Sequence, residues 1–317
     1  MALPAVADVR RANPDAFIAV AARPSIAPLF TLADGVDEVI DIERADLRAQ
    51  SFDRVLLLPN SFGAALLAWR AGIPERWGYR TQGRGALLTR AVPCGARMHQ
   101  VAYYQHLVNG LGYLNGPMQP EIRISPSLRH AGATKLSAAG WDGGTPLVAF
   151  APGAANGRAK QWPPVSFARV ARELEGDGVT TVLVGAASDV RAGADLLEAL
   201  GEDSRVINLI GRTDLPALAG VLVHCRALVC NDSGAMHFAA ALGVNITAMF
   251  GPTNEAETRP LGRAEIVVLT HDVWCRPCML RDCPLDHRCM RGITTKAVLD
   301  ATRAARQSLL EPQIWKP

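Results

Sequence analysis

The chain has 317 residues, 49% of them hydrophobic and 20% charged, and a net charge of +3. At roughly 150 residues per domain this length points to two domains with full cores, and the apolar fraction excludes disordered, collagen-like and small disulfide-framed proteins. The net charge is too small to assign a partner, but the charge is unevenly spread. Arg54, Arg70, Arg76, Arg80, Arg84, Arg90 and Arg97 stand against the single acid Glu75 in that stretch, which suits an anionic partner. A solvated face rich in arginine, in a chain that uses only four lysines, accounts for it equally well.

No apolar run approaches the ~18 residues of a membrane span. The opening MALPAVADVRRANPDA lacks the basic start and unbroken apolar stretch of a signal peptide, so it reads as an amphipathic helix of a cytoplasmic protein. Strand patterns follow at 17–22, 38–42 and 54–58, then a short helix over 60–72 and an Arg/Gly-rich stretch around 83–85. A longer helix carries the apolar spacing Val101, Tyr104, Leu107 and Val108, and a polar helix runs from 127 to 140. Gly143, Gly144, Thr145 and Pro146 form a linker, which places two domains at 1–140 and 141–317. The second half is more regular. Apolar, β-branched runs at 147–151, 180–185, 205–210, 227–230, 246–250 and 266–269 alternate with helical patterns, the signature of a Rossmann-like parallel sheet. A helix over 294–310 and a tail over 311–317 carrying Trp315 close the chain. One feature departs from the usual order. A parallel α/β domain opens with a strand, and here a helix comes first; a fold that begins with a helix is the plain alternative.

Two loops carry candidate chemistry. The first, APGAANGRAKQWP over 151–163, lies between a buried strand and a helix entered through Pro163 and Pro164. Gly153 and Gly157 let backbone amides approach a phosphate, and Lys160 supplies a cation beside them, although the Walker pattern is absent. In the second, NDSGAMHFAAALG over 231–243, Asp232 ends a strand, Ser233 is placed to cap the next helix and Gly234 opens its first turn. His237 lies one turn further along the same face. Asp-Ser-Gly is also plain N-cap chemistry, and His237 also fits a packed core histidine. Two such loops at strand ends of one domain favour a nucleotide ligand, and FGPTN over 250–254 completes the rim.

Together with CRPCMLRDCPLDHRCM and the N-terminal PNSFGAALLAWRAGIPERWGYR, these motifs resemble the lipopolysaccharide heptosyltransferases of glycosyltransferase family 9, within them the heptosyltransferase II type, over essentially the whole chain. The resemblance implies an α/β GT-B fold, with two Rossmann-like domains facing a cleft. Residues 1–140 would form the acceptor domain, its first strand missing, and 141–317 the ADP-heptose domain. It further implies inverting transfer of L-glycero-D-manno-heptose from ADP-heptose to the inner-core heptose of lipopolysaccharide. The acceptor would be of the heptosylated Kdo2-lipid A type, met at the inner face of the inner membrane by a cytoplasmic, peripheral enzyme. No metal is required and no nucleic acid or protein partner is implied. By motif position, Lys160 contacts donor phosphate, Gly153, Ala155 and Asn156 line the same loop, and Asp232, Ser233, Gly234 and His237 hold the diphosphate and heptose. Related enzymes have hydroxyl residues where this chain has Ala155 and Asn156, which weakens a side-chain role there. Arg80, in the matching GYR motif, is the acceptor candidate.

The family also opens with a strand and a Gly-Asp loop whose Asp acts as general base, and here the sequence starts at Met1 just after that point. Asp8 is a poor substitute, expected on the exposed side of the first helix. The expectation is a natural protein extending upstream, with a base-less paralogue that binds an ADP-sugar or lipopolysaccharide as the alternative. A different GT-B nucleotide-sugar transferase or an epimerase is the rival among enzymes. Seven cysteines without a secretory signal read as thiols, metal ligands or packing groups. Cys275, Cys278, Cys283 and Cys289, in the Cys-rich loop over 271–291, have a spacing compatible with structural Zn²⁺, while a loop that only packs is the alternative. Cys94, Cys225 and Cys230 are expected to be buried small residues.

Overall fold

The structure, a computed structural model, describes residues 1–155, 157–201 and 204–307. The tail over 311–317 and the last residues expected in the closing helix lie outside them. Two compact units divide the chain, Met1–Pro120 and Glu121–Pro317. The boundary expected at 140/141 therefore moves to 120/121, and the reason is a helix crossing in the second unit described below.

The first unit runs α1 (Leu3–Ala12), β1 (Ala19–Ala22), α2 (Ala27–Phe30), β2 (Glu38–Asp41), β3 (Arg54–Leu57), α3 (Phe62–Arg70), β4 (Glu75–Tyr79), β5 (Arg90–Val92) and α4 (Gln100–Gly110). Its strands pair in parallel in two separate sheets, β1-β2 and β3-β4-β5. The sequence reading missed β4 and β5. ERWGY lacks clean alternation because its last three residues are all buried, and RAV is only one short ladder. Trp77, Tyr79, Val92, Leu107 and Leu111 form the core behind the second sheet. The Tyr79 hydroxyl donates to the Tyr103 carbonyl at 2.6 Å and lies 2.8 Å from His106 Nδ1. Burial pushes that phenol well above its ordinary pKa.

Asp8 corrects an expectation. It is buried rather than exposed, and its carboxylate accepts bonds from Gln105 Nε2 at 2.9 Å, the Gly116 amide at 2.8 Å and Arg11 at 2.9 Å. These contacts tie α1 to α4 and to the segment after it, a packing role that occupies both carboxylate oxygens.

The second unit opens with α5 (Pro126–Ala138) and continues β6 (Leu147–Ala151), α6 (Pro164–Gly176), β7 (Thr180–Leu183), α7 (Val190–Leu200), β8 (Val206–Asn208), α8 (Leu215–Leu222), β9 (Cys225–Asn231), α9 (Gly234–Ala241), β10 (Asn245–Phe250), α10 (Glu255–Thr258), β11 (Ile266–Thr270), α11 (Arg288–Arg291) and α12 (Thr295–Gln307). Its six strands are all parallel in the order β11-β10-β9-β6-β7-β8, each run of the sequence reading falling on its strand within a few residues. β6, β9 and β10 are buried almost end to end, as strands covered on both faces must be. α5 belongs here because it meets α8 at two glycines. A Cβ built on Gly132 would stand 2.1 Å from the Gly220 carbonyl oxygen, so the two helix backbones are in direct contact.

In this order the chain leaves β6 to one side through β7 and returns on the other through β9. The sheet therefore has its switch point between β6 and β9, and ligands of open parallel sheets bind outside the carboxyl ends of the strands at that point. Both motif loops leave the sheet there.

Candidate functional site

At the end of β6, Pro152 to Lys160 forms the first loop, its last three residues a single 3₁₀ turn. At the end of β9, Asp232 and Ser233 lead into α9. The two are clamped together by Asn231, which is fully buried. Its Nδ2 donates to the Pro152 carbonyl at 2.8 Å and its Oδ1 accepts the Trp162 amide at 3.0 Å. Trp162 is itself buried, and its indole donates to the Ile293 carbonyl at 2.9 Å. The segment that carries Lys160 is thus fixed two residues further on.

The fixed lysine reaches across the switch point. Lys160 Nζ lies 2.7 Å from Asp232 Oδ2, with 18% and 7% of the two side chains exposed. The Thr253 hydroxyl, from the loop after β10, donates to the same Oδ2 at 2.8 Å. One carboxylate thereby collects three loops, and a lysine held this way carries its charge in a partly desolvated place where it counts for more than in water. Beside it, Ser233 takes the N-cap position of α9 but makes no side-chain capping bond, contrary to the capping expected of it. Its Oγ is buried and has no partner. Buried hydroxyls are ordinarily bonded, so an orphan at a helix N-terminus marks a place where an acceptor belongs. Gly234 adds to this, since among the described residues, its chain neighbours and own helix backbone apart, a Cβ there would meet no atom within 4 Å. His237 stands partly buried one turn into α9.

The first-loop glycines turn out differently. A Cβ on Gly153 would fall 2.2 Å from the Asp189 carboxyl group, and one on Gly157, at φ +115°, would fall 2.2 Å from the Arg281 carbonyl oxygen. At both positions another part of the protein occupies the space a side chain would need. Ala155 is exposed and offers only a methyl group; Asn156 lies outside the described residues.

Arg281 belongs to the Cys-rich loop, which supports both rims of the site. Its carbonyl accepts the Ala159 amide at 3.0 Å, and the Met279 amide donates to the Pro252 carbonyl at 2.8 Å. Arg276 Nε donates to the Gly251 carbonyl at 2.8 Å. Cys275, Cys278, Cys283 and Cys289 line one small pocket together with Ala159 and Pro252. Among the described residues no three His, Cys, Asp or Glu side chains are placed to hold a metal ion. Of the other thiols, Cys225 is pushed up to about 12 by burial and Cys230 higher still. Cys94 is exposed rather than buried, its sulfur 3.6 Å from the Tyr103 hydroxyl.

In the first unit the arginines divide by task. Arg54 pairs with Glu75 and lies 3.8 Å above the Trp77 ring centre. Arg76 donates to the Leu87 carbonyl at 2.7 Å and to the Ile73 carbonyl at 2.6 Å. Arg84 is fully buried without a carboxylate beside it; it donates to the carbonyls of Tyr79 and Pro59 and to Asn60 Oδ1, and burial lowers its pKa. These three hold the first unit together. Arg80 is exposed, its stem packed across Gly85.

The sequence reading missed Asn231, Trp162 and Asp189, and gave Thr253 only as part of a rim. A polar residue closing an apolar strand was the available sign of Asn231.

Residues 43–288 match the family model for glycosyltransferase family 9 (heptosyltransferase). Lipopolysaccharide heptosyltransferase 2 of Salmonella typhimurium is 34% identical over 280 residues, covering 80% of each chain. Its namesake in Escherichia coli K12 is 32% identical, with 80% of each chain covered. The solved structure of E. coli ADP-heptose lipopolysaccharide heptosyltransferase II superposes with a TM-score of 0.84 at 29% identity, covering 97% of this chain and 94% of that one. A family 9 glycosyltransferase from Veillonella parvula, 21% identical, shares the fold with a TM-score of 0.83 over 97% of this chain and 93% of its own.

Proposed function

The chain belongs to glycosyltransferase family 9, the heptosyltransferases, and from that premise we propose that it moves a heptose from ADP-heptose to the inner-core heptose of lipopolysaccharide, with inversion at the anomeric carbon. The second unit takes the donor and the first unit the acceptor. The observation that carries this reading is the group at the switch point: Lys160 fixed on Asp232, beside an unpartnered Ser233 hydroxyl at the start of α9.

Breaking the bond from the anomeric carbon to the diphosphate leaves ADP with growing negative charge. Lys160, the first-turn amides of α9 and the Ser233 hydroxyl meet that charge, and because they are positioned beforehand they favour the transition state over the bound substrate. Asp232 would repel the diphosphate if it stood alone; paired with Lys160 it fixes the cation, and its Oδ1 is left to accept a sugar hydroxyl. Gly234, with open space around its Cα, lets a phosphate oxygen come close. This chemistry is carried by side chains and backbone amides and calls on no metal. Arg80 meets the anionic acceptor. The buried Asp8 carboxylate, already bonded to Gln105, Gly116 and Arg11, is not a base for the acceptor hydroxyl. A lipid-linked acceptor puts the work at the cytoplasmic face of the inner membrane; no helix among the described residues is long and apolar enough to cross a membrane.

A donor panel tests the reading. Calorimetric titration with ADP-heptose, UDP-sugars and GDP-sugars is expected to give binding for ADP-heptose alone; a preference for a UDP- or GDP-sugar would replace it with another nucleotide-sugar chemistry.

A further inference from the structure

α3 is an unusual surface helix. FGAALLAWR contains no charge until Arg70, and its inner side is accounted for by Ala65 and Ala68, which are buried against Leu57. The outer side is apolar as well: Phe62 is 47% exposed, Leu67 41% and Trp69 53%. At about 100° per residue, Trp69, Phe62, Leu66, Arg70, Gly63 and Leu67 follow one another around a single arc of about 160°. The helix therefore shows an outer face of large apolar side chains with Arg70 and Gly63 set among them, where solvated helices carry several charges.

Its surroundings bear on what covers that face. Arg48 donates from its guanidinium to the Arg70 backbone carbonyl at 3.0 Å, which puts the Arg48 cation at the end of the helix that Arg70 closes. Glu75, the one acid between residues 54 and 97, is engaged by Arg54. A bare tryptophan and phenylalanine flanked by arginines is the composition of a segment that lies in a membrane interface, where aromatic rings sit at headgroup level and arginines meet lipid phosphates. A nine-residue helix, roughly 13 Å long and about 11 Å across, offers a face on the order of 150 Å², small beside the ~800 Å² that each partner of a stable protein complex buries. Shallow insertion assisted by charge asks for no more than it offers.

We propose that α3 docks the protein onto an anionic lipid bilayer, with Phe62, Leu67 and Trp69 entering the interfacial layer and Arg48 and Arg70 binding headgroup phosphates. This rests on the reading that the acceptor is lipid-linked: attachment through the first unit keeps the acceptor half at the surface where such a substrate lies.

The test is flotation with phosphatidylcholine vesicles, with and without phosphatidylglycerol, for the parent protein and for L67Q/W69Q. Both changes are at exposed positions, and an unchanged circular dichroism spectrum and melting point show that the variant folds. The parent is expected to bind the phosphatidylglycerol vesicles more strongly than neutral ones, and L67Q/W69Q to lose about tenfold in partitioning while its affinity for ADP-heptose stays the same. Equal partitioning of the two proteins, or no preference of the parent for anionic vesicles, overturns the proposal. So does a parent that sediments as a dimer and becomes monomeric in L67Q/W69Q, since a second copy would then cover the face. Failure to bind ADP-heptose while vesicle binding persists would count against the donor reading and leave the docking helix standing.

Discussion

Glycine has two distinct uses at this site, and substitution separates them. Gly157 sits at φ +115° with the Arg281 carbonyl oxygen where a Cβ would be, so Gly157→Ala must strain the backbone and push the Cys-rich loop away from the lysine turn. A cost of about 1–3 kcal/mol is expected, together with weaker ADP-heptose binding. Gly234 is the opposite case. Its Cβ would meet no atom of the described residues within 4 Å beyond its chain neighbours and its own helix backbone, so Gly234→Ala should leave the urea midpoint unchanged or slightly raised while weakening ADP-heptose binding, because the added methyl group enters the proposed donor site. Urea titration and calorimetry on both variants check the pair; a Gly234→Ala protein that binds as the parent does would show that no ligand comes near that carbon. The sequence could show that both loops carry glycine, but not which atoms would fill the missing side chain. Asp189 and Arg281, the residues that do so for Gly153 and Gly157, lie far away in the chain.

At the scale of elements, the position of α5 depends on a contact with no sequence signature. Gly132 and Gly220 are ordinary helix-interior glycines until the two helices are seen to touch, and that contact places residues 126–138 with the second unit. A Cβ on Gly132 has no room, so Gly132→Ala is expected to destabilise by about 1–3 kcal/mol through overpacking, read from the urea midpoint; a stabilised variant, as helix propensity alone predicts, would contradict the packing account. The six-stranded sheet was legible for the converse reason. Strands buried on both faces are continuous apolar runs, and all six announce themselves. The first unit was harder to read. Its strands are short and half-covered, β4 carries Arg76 and Trp77 side by side, and the seven arginines suggested one electrostatic surface where three of them hold the unit together.

For the whole molecule, the second unit brings the ends of β6, β9 and β10 together so that one lysine, one carboxylate and one helix start converge at the point where the sheet changes direction. The motifs put both loops at strand-to-helix turns of one domain, and the resemblance singled out Lys160 and Asp232, but neither showed that the two side chains pair. What they could not show was the clamp behind them. Asn231 and Trp162 work through backbone carbonyls, and a carbonyl partner leaves no mark in a sequence. The central claim is that Lys160, held by Asp232, binds the diphosphate of ADP-heptose. Calorimetric titration of ADP-heptose into the parent protein and Lys160→Ala tests it most directly. Removing a charge-assisted contact worth about 1.5–3 kcal/mol should weaken binding by about 10- to 100-fold with the fold intact, whereas equal affinity in the two proteins would contradict the account.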